Sequence, residues 1–134
     1  MTRSVLFACN MNSVRSPMAE ALARHILGED WKVASCGVYR GAIDPFVQDA
    51  LREAKIMPPA SEPREFGQCN INAYEVVVAL TPEAAAEARR VHDKVEFWEV
   101  ENPTDTRGSE AELRAAYGRL RDDLTEKIRE RFGR

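Results

Sequence analysis

Ser4-Val5-Leu6-Phe7-Ala8-Cys9-Asn10-Met11-Asn12-Ser13-Val14-Arg15-Ser16-Pro17 changes character in its middle. Residues 4–8 form an apolar run without alternation. The run is too short for a helix and reads as a strand covered on both faces, as in a parallel sheet. Small and polar residues then dominate, and Ser16-Pro17 offers a side-chain cap acceptor followed by proline at the first helical position. Strand, polar loop and helix in immediate succession open an α/β unit.

The same alternation runs outward along the chain. Tyr74 to Leu80 is a second clear buried strand, with Lys32 to Cys36 and Val95 to Trp98 as weaker ones. Met18, Leu22, His25 and Ile26 share one helical face, as do Val47, Ala50, Leu51 and Ala54. Leu113, Tyr117, Leu120, Leu124, Ile128 and Phe132 recur every three or four residues, which predicts a long amphipathic helix. Asp44-Pro45 and Thr81-Pro82 repeat the cap-then-proline device, and Ser109 with Glu112 makes a capping box for the last helix. The expected fold is an α/β sandwich with a mostly parallel sheet, whose ligands sit outside the carboxyl ends of the strands. That rule selects residues 9–16.

Composition narrows the function. A length of 134 residues fits one domain, 1–134. A net charge of −3 argues against a chain held by nucleic-acid backbones or anionic membrane surfaces, which require a basic field. No apolar run approaches the ~20 residues of a membrane span, and Val5–Cys9 is too short for a secretory signal. The three cysteines, Cys9, Cys36 and Cys69, form an odd set without a CxxC pair, and only two histidines are present, which speaks against a disulfide framework or a structural zinc. The expectation is a cytoplasmic protein without metal or cofactor.

In the first loop, backbone N–H groups can wrap an oxyanion, and the amino end of the following helix adds partial positive charge. Arg15 can grip two phosphate oxygens at once, and the same field stabilises a thiolate at Cys9. The Ser16 hydroxyl can donate to that sulfur, and Asn12 tolerates the left-handed backbone that a tight anion cradle needs. The alternative is a strand-ending cysteine that is only part of the core. Strand before, helix after and polar loop between favour the oxyanion site.

Val5 to Leu22, VLFACNMNSVRSPMAEAL, resembles the amino-terminal motif C-x-G-N-x-C-R-S-P-x-A-E of the low-molecular-weight protein tyrosine phosphatases, a family that includes arsenate reductases. Ser35-Cys36-Gly37, Asp44-Pro45, the strand before Thr81 and a proline-containing loop before a long final helix extend the resemblance over essentially the whole chain. It implies a three-layer sandwich with a four-stranded parallel sheet and helices on both faces. It also implies Cys9 as the nucleophile that forms a phosphocysteine, Arg15 as the clamp on the equatorial oxygens, and Asn12 and Ser16 as ordering groups. The backbone of Asn10, Met11, Asn12, Ser13, Val14 and Ser16 would bind phosphate, and no metal would be needed.

Three positions depart from the family pattern. Met11 replaces a glycine, and Val14 replaces a second loop cysteine. Asn102, before Pro103, stands where the family carries the aspartate that protonates the leaving oxygen. An amide cannot donate and recover that proton, a role that typically contributes roughly 100- to 10,000-fold. Asp105 or Glu101 are the candidate substitutes, set against the reading of both as solvated loop carboxylates. Thr104 and Asp105 stand where eukaryotic members place pocket tyrosines, and Tyr39 is a candidate wall for a phosphotyrosine substrate.

The remaining expectations concern the other reactive side chains. Cys36, ending a strand beside the first, is either a small buried residue or the partner of Cys9 in an oxidative link. Cys69 receives no role, His25 is expected to pack on its helix, His92 to lie at the surface, and Phe97 and Trp98 to be core aromatics. The leading reading is a metal-independent phosphate monoester hydrolase acting on phosphotyrosine or similar substrates. The alternatives are an arsenate reductase and an oxyanion-binding module without turnover. The absence of any cysteine from Thr81 to Arg134 excludes the family's internal thiol relay, so a reductase would need an external thiol.

Overall fold

The structure, a computed structural model, describes residues 3–59 and 62–133. Strands β1 (Arg3–Cys9), β2 (Trp31–Gly37), β3 (Val76–Ala79) and β4 (Val95–Phe97) form one parallel sheet in the order β2-β1-β3-β4. Helices α1 (Arg15–Leu27), α2 (Pro45–Glu53), α3 (Pro82–Arg89) and α4 (Glu110–Phe132) carry the connections. The four-stranded parallel sheet and three-layer sandwich expected from the sequence are present.

Alternation along β1 builds two cores. Val5, Phe7 and Cys9 face α1, α2 and α4, meeting Met18, Leu22, Leu51, Leu120, Leu124 and Ile128. Leu6 and Ala8 face the other way, onto Ala34, Cys36, Ile71 and the alanines of α3. β1 is buried on both faces because it is central, which is why its sequence shows no polar alternation. The final helix buries the face read from the sequence, and Trp98 packs edge-on against Phe7 with ring centroids 6.0 Å apart. No helix among the described residues is long and apolar enough to cross a membrane.

Three of the four helix starts follow the sequence reading. Asp44 Oδ1 accepts from Phe46 N (2.9 Å), Thr81 Oγ1 from Ala84 N (3.1 Å), and Ser109 with Glu112 completes its capping box. The first does not. α1 begins at Arg15, one residue before Ser16, and no side chain caps it. Ser16 is buried in the first turn, and its hydroxyl serves the loop instead. Pro17 is tolerated there because first-turn N–H groups have no intrahelical acceptor.

Other expectations are corrected by position. His25 is exposed at the edge of α1 rather than packed, and Ala54 lies past the buried face of α2. His92 is half-buried: its Nδ1 accepts from Lys94 N at 2.9 Å, so Nε2 donates to the Tyr74 carbonyl at 2.6 Å, fastening the end of α3 to the chain entering β3. Phe97 is 40% exposed because β4 is an edge strand, while Trp98 turns inward.

The proposed Cys9–Cys36 link is also overturned. Register pairs Ala8 with Cys36, so the Cys36 side chain joins Ala8 on the α3 face while Cys9 points to the opposite face.

Tyr117 of α4 donates its hydroxyl to Asp44 Oδ2 at 2.6 Å, tying the long helix to the start of α2. Tyr117→Phe removes a bond to a charged acceptor, worth about 1.5–3 kcal/mol. The expected outcome is a loss of that order in urea unfolding, with the m-value unchanged.

Candidate active site

All four strands are parallel, so the loops leaving their carboxyl ends gather at one edge of the sheet. Residues 10–14 form the loop between β1 and α1. Four carbonyls at this turn are taken by the chain that follows β2. Cys9 O accepts from Val38 N (3.0 Å), Asn10 O from Tyr39 N (2.7 Å), Met11 O from Gly41 N (2.7 Å) and Ser13 O from Asp44 N (3.1 Å). In a trans peptide the N–H of the next residue opposes the carbonyl. Fixing these carbonyls on the bracing segment therefore turns the N–H groups of Asn10, Met11, Asn12 and Val14 away from it. Together with the uncapped amino end of α1, they make a set of donors suited to an oxyanion.

Asn12 sets the loop's shape. Its φ of 53° is left-handed, and its side chain is buried. Both amide protons and the amide oxygen are used: Nδ2 donates to Ser16 Oγ (2.9 Å) and Ser35 Oγ (3.0 Å), and Oδ1 accepts from Arg64 N (2.8 Å). Ser35 donates onward to Glu20 Oε1 (2.5 Å), and Arg24 holds Glu20 Oε2 at 3.1 Å while bonding the Val33 carbonyl. The loop thus rests on a buried chain of polar contacts that ends on an ion pair at the protein's edge.

Cys9 is 3% exposed at the base of this loop, with its Sγ 2.9 Å from Ser16 Oγ. Ser16 already accepts from Asn12, so its own proton is free to point at the sulfur or, at 3.3 Å, at the Cys36 carbonyl. An ionised Cys9 selects the first. Arg15 is half-buried at the first position of α1 and forms no ion pair among the described residues. Val14 is buried in the apolar core, and Met11 is 44% exposed, its side chain lying against Gly41 rather than filling the loop.

Gly37 is required by close approach. A Cβ there would stand 2.6 Å from Asn12 N, 2.6 Å from Tyr39 O and 2.8 Å from Asn10 O, all backbone atoms.

The loop between β4 and α4 emerges at the same edge. Asn102 Oδ1 accepts from Thr104 N (3.2 Å) and Thr104 Oγ1 (2.8 Å), capping the short turn Pro103–Asp105. Glu101 forms a two-point contact with Arg119 at 3.3 and 2.9 Å. Asp105 is exposed, and its carboxylate has no hydrogen bond or ion pair among the described residues. Tyr39 is 53% exposed beside the loop and donates to Glu83 Oε1 at 3.0 Å, which with the carboxylate's charge holds its phenol above its ordinary pKa.

Residues 4–131 match the family described as low molecular weight phosphotyrosine protein phosphatase. The chain belongs to that family. Arsenate reductase of Bacillus subtilis (strain 168) is 31% identical over 128 residues, covering 94% of this chain and 92% of the reductase. Among solved structures, a low molecular weight protein tyrosine phosphatase from T. tengcongensis superposes with a TM-score of 0.81 at 21% identity, covering 98% of each chain. The YwlE arginine phosphatase, as a cysteine-to-serine variant with a phosphorylated active-site serine, gives 0.75 at 26% identity, covering 95% of this chain and 91% of its own. Family membership supports a cysteine-based phosphatase or an arsenate reductase.

Sequence reasoning identifies the loop residues of this site but misses their supports, Glu20, Ser35 and Arg64. One signal was available: Glu20 is an acid set among Met18, Ala19, Ala21 and Leu22, where a helix turns inward. Gly37→Ala supplies a direct check on the site. It is expected to weaken phosphate binding by at least about tenfold, about 1.4 kcal/mol, in a phosphate titration followed by NMR.

Proposed function

We propose that this chain is a metal-independent phosphate monoester hydrolase working through a phosphocysteine on Cys9. The observation that carries this reading is the Cys9 sulfur, 2.9 Å from the Ser16 hydroxyl, at the base of a loop whose carbonyls are braced by the chain after β2. In the first step the Cys9 thiolate attacks phosphorus and expels the alcohol or phenol. The loop N–H groups and Arg15 hold the equatorial oxygens as negative charge spreads over them. Ser16, steadied by Asn12, donates to the sulfur in the ground state and to the leaving thiolate when water cleaves the phosphocysteine in the second step. The phosphorylated active-site serine of the YwlE variant supports a covalent route in a related loop.

Leaving-group protonation is the weak point of the site. Asn102 spends its oxygen on the Thr104 turn and has no acidic proton, and Glu101 is held by Arg119. Asp105, beside Asn102 in the short turn Pro103–Asp105 and unengaged among the described residues, is the candidate donor. The chemistry therefore favours aryl phosphates, phosphotyrosine among them, whose leaving groups need little help.

Arsenate reduction is the second reading, favoured by the naming of the Bacillus subtilis relative. It starts with the same thiolate attack, on arsenic. Cys36 and Cys69 lie across the sheet from Cys9, so the thiol that completes reduction would come from outside the chain.

Cys9→Ser is expected to abolish release of nitrophenol from para-nitrophenyl phosphate. Hydrolysis of that ester by the native protein separates the phosphatase from a reductase. Turnover of arsenate with glutathione or glutaredoxin, and none of the phosphate ester, would replace the first reading by the second. Phosphate binding without either turnover would leave an oxyanion-binding module.

Asn102→Asp should raise kcat by up to about 100-fold on phenyl phosphate and far less on para-nitrophenyl phosphate. An unchanged rate in that variant, with a loss in Asp105→Asn, would assign the proton donor to Asp105.

A further inference from the structure

Two cysteines lie outside the site just described, on the other face of the sheet. Cys36 is the penultimate residue of β2, fully buried among Leu6, Ala8 and Ala34. Cys69 follows the short turn Phe66–Gln68, is half-buried, and packs on the same cluster as Cys36, where each thiol shifts the other's ionisation.

Backbone contacts hold the segments together. Gly37 N donates to Arg64 O at 2.8 Å, Gly37 pairs with Glu65 in a parallel bridge, and Arg64 Nη2 donates to Ser35 O at 3.4 Å. Arg64 Nε is buried and has no hydrogen-bond partner among the described residues. Cys69 also lines an open groove of about 550 Å³, walled by Phe66, Ile71, Glu87, Arg90 and Val91.

The two thiols are unlike. Cys36 neighbours the Cys69 sulfur and lies in an apolar core, and both effects push its own ionisation up. The neighbouring Cys36 and the Arg64 guanidinium together bring Cys69 down to about 7 against burial and the Glu20 charge. Cys69, half-buried on the groove wall, ionises more readily than the fully buried Cys36 behind it. That is the division of labour between an attacking and a resolving cysteine.

We propose that Cys36 and Cys69 are a redox-active dithiol, separate from Cys9, which a hydroperoxide entering the groove oxidises to an intramolecular disulfide. The Cys69 thiolate attacks the outer peroxide oxygen. The O–O bond breaks, and the departing oxygen takes a proton and leaves as water or an alcohol. Cys69 is then a sulfenic acid. The Cys36 sulfur attacks it, the S–S bond forms, and the sulfenic hydroxyl leaves as water with the Cys36 proton. The pair gives up two electrons and two protons, and the peroxide accepts them. A thiol reductant reverses the change.

The test uses the full chain carrying Cys9→Ser, which removes the other reactive sulfur. After hydrogen peroxide, alkylation under denaturing conditions and trypsin, peptides 33–40 and 65–89 are expected joined, with the intact mass lower by two hydrogens and restored by dithiothreitol. In Cys9→Ser with Cys36→Ala, peroxide is expected to leave Cys69 as a sulfenic acid that dimedone captures. The pair is refuted if both peptides carry the alkyl label at peroxide levels that oxidise Cys9 in the native protein. Cross-linking of Cys69 to a second copy, in place of Cys36, refutes it equally. If either variant fails to fold, the native chain is treated in the same way, and the same two peptides, joined or separately alkylated, support or refute the pair.

Discussion

A single buried amide holds the candidate site in shape. Asn12 takes a left-handed backbone, a conformation of the kind that costs a non-glycine residue on the order of 1 kcal/mol. Its side chain offsets this by bonding three separate parts of the chain: Ser16 on α1, Ser35 on β2 and the backbone of Arg64. These bonds lie away from water, where an unmatched amide would cost more than each bond contributes. The loop therefore has one low-energy arrangement. The same arrangement brings Ser16 to the Cys9 sulfur and leaves the N–H groups turned away from the bracing segment.

The central strand does the sorting. Because β1 is covered on both faces, neighbouring residues report to different halves of the molecule. Cys9 belongs to the half built on α1, α2 and α4, where the amino-terminal turn of α1 provides positive potential. Cys36 belongs to the half built on α3, where its company is Cys69 and alanines. A sheet one residue thick is enough to keep the thiols of the two halves apart, since a side chain cannot pass through a hydrogen-bonded ladder. An arsenate reductase and a phosphatase among the solved structures share this framework.

Polar groups around the loop between β4 and α4 show how a departure from the family pattern is absorbed. Asn102 keeps the turn by accepting from Thr104 twice, a task an aspartate would perform equally well. Local structure is thus indifferent to the exchange.

From the chain alone came the apolar run and polar loop of residues 4–16, three capped helices, the long final helix, and the candidate nucleophile, clamp and ordering residues of the first loop. All of these depend on neighbours a few positions away, through side-chain periodicity, cap hydrogen bonds and the chemistry of one continuous segment. Ser16 reads locally as a cap because its competing partners, Cys9 and the Cys36 carbonyl, arrive only when the loop closes over β2. The roles of Glu20, Ser35 and Arg64, the exposure of His25 and Phe97, and the opposite orientations of Cys9 and Cys36 were settled by tertiary structure. Each depends on strand register, on which strand is central and which is an edge, or on a contact between distant segments. Such pairings are fixed by the packing of whole elements, which no local pattern of residue types encodes.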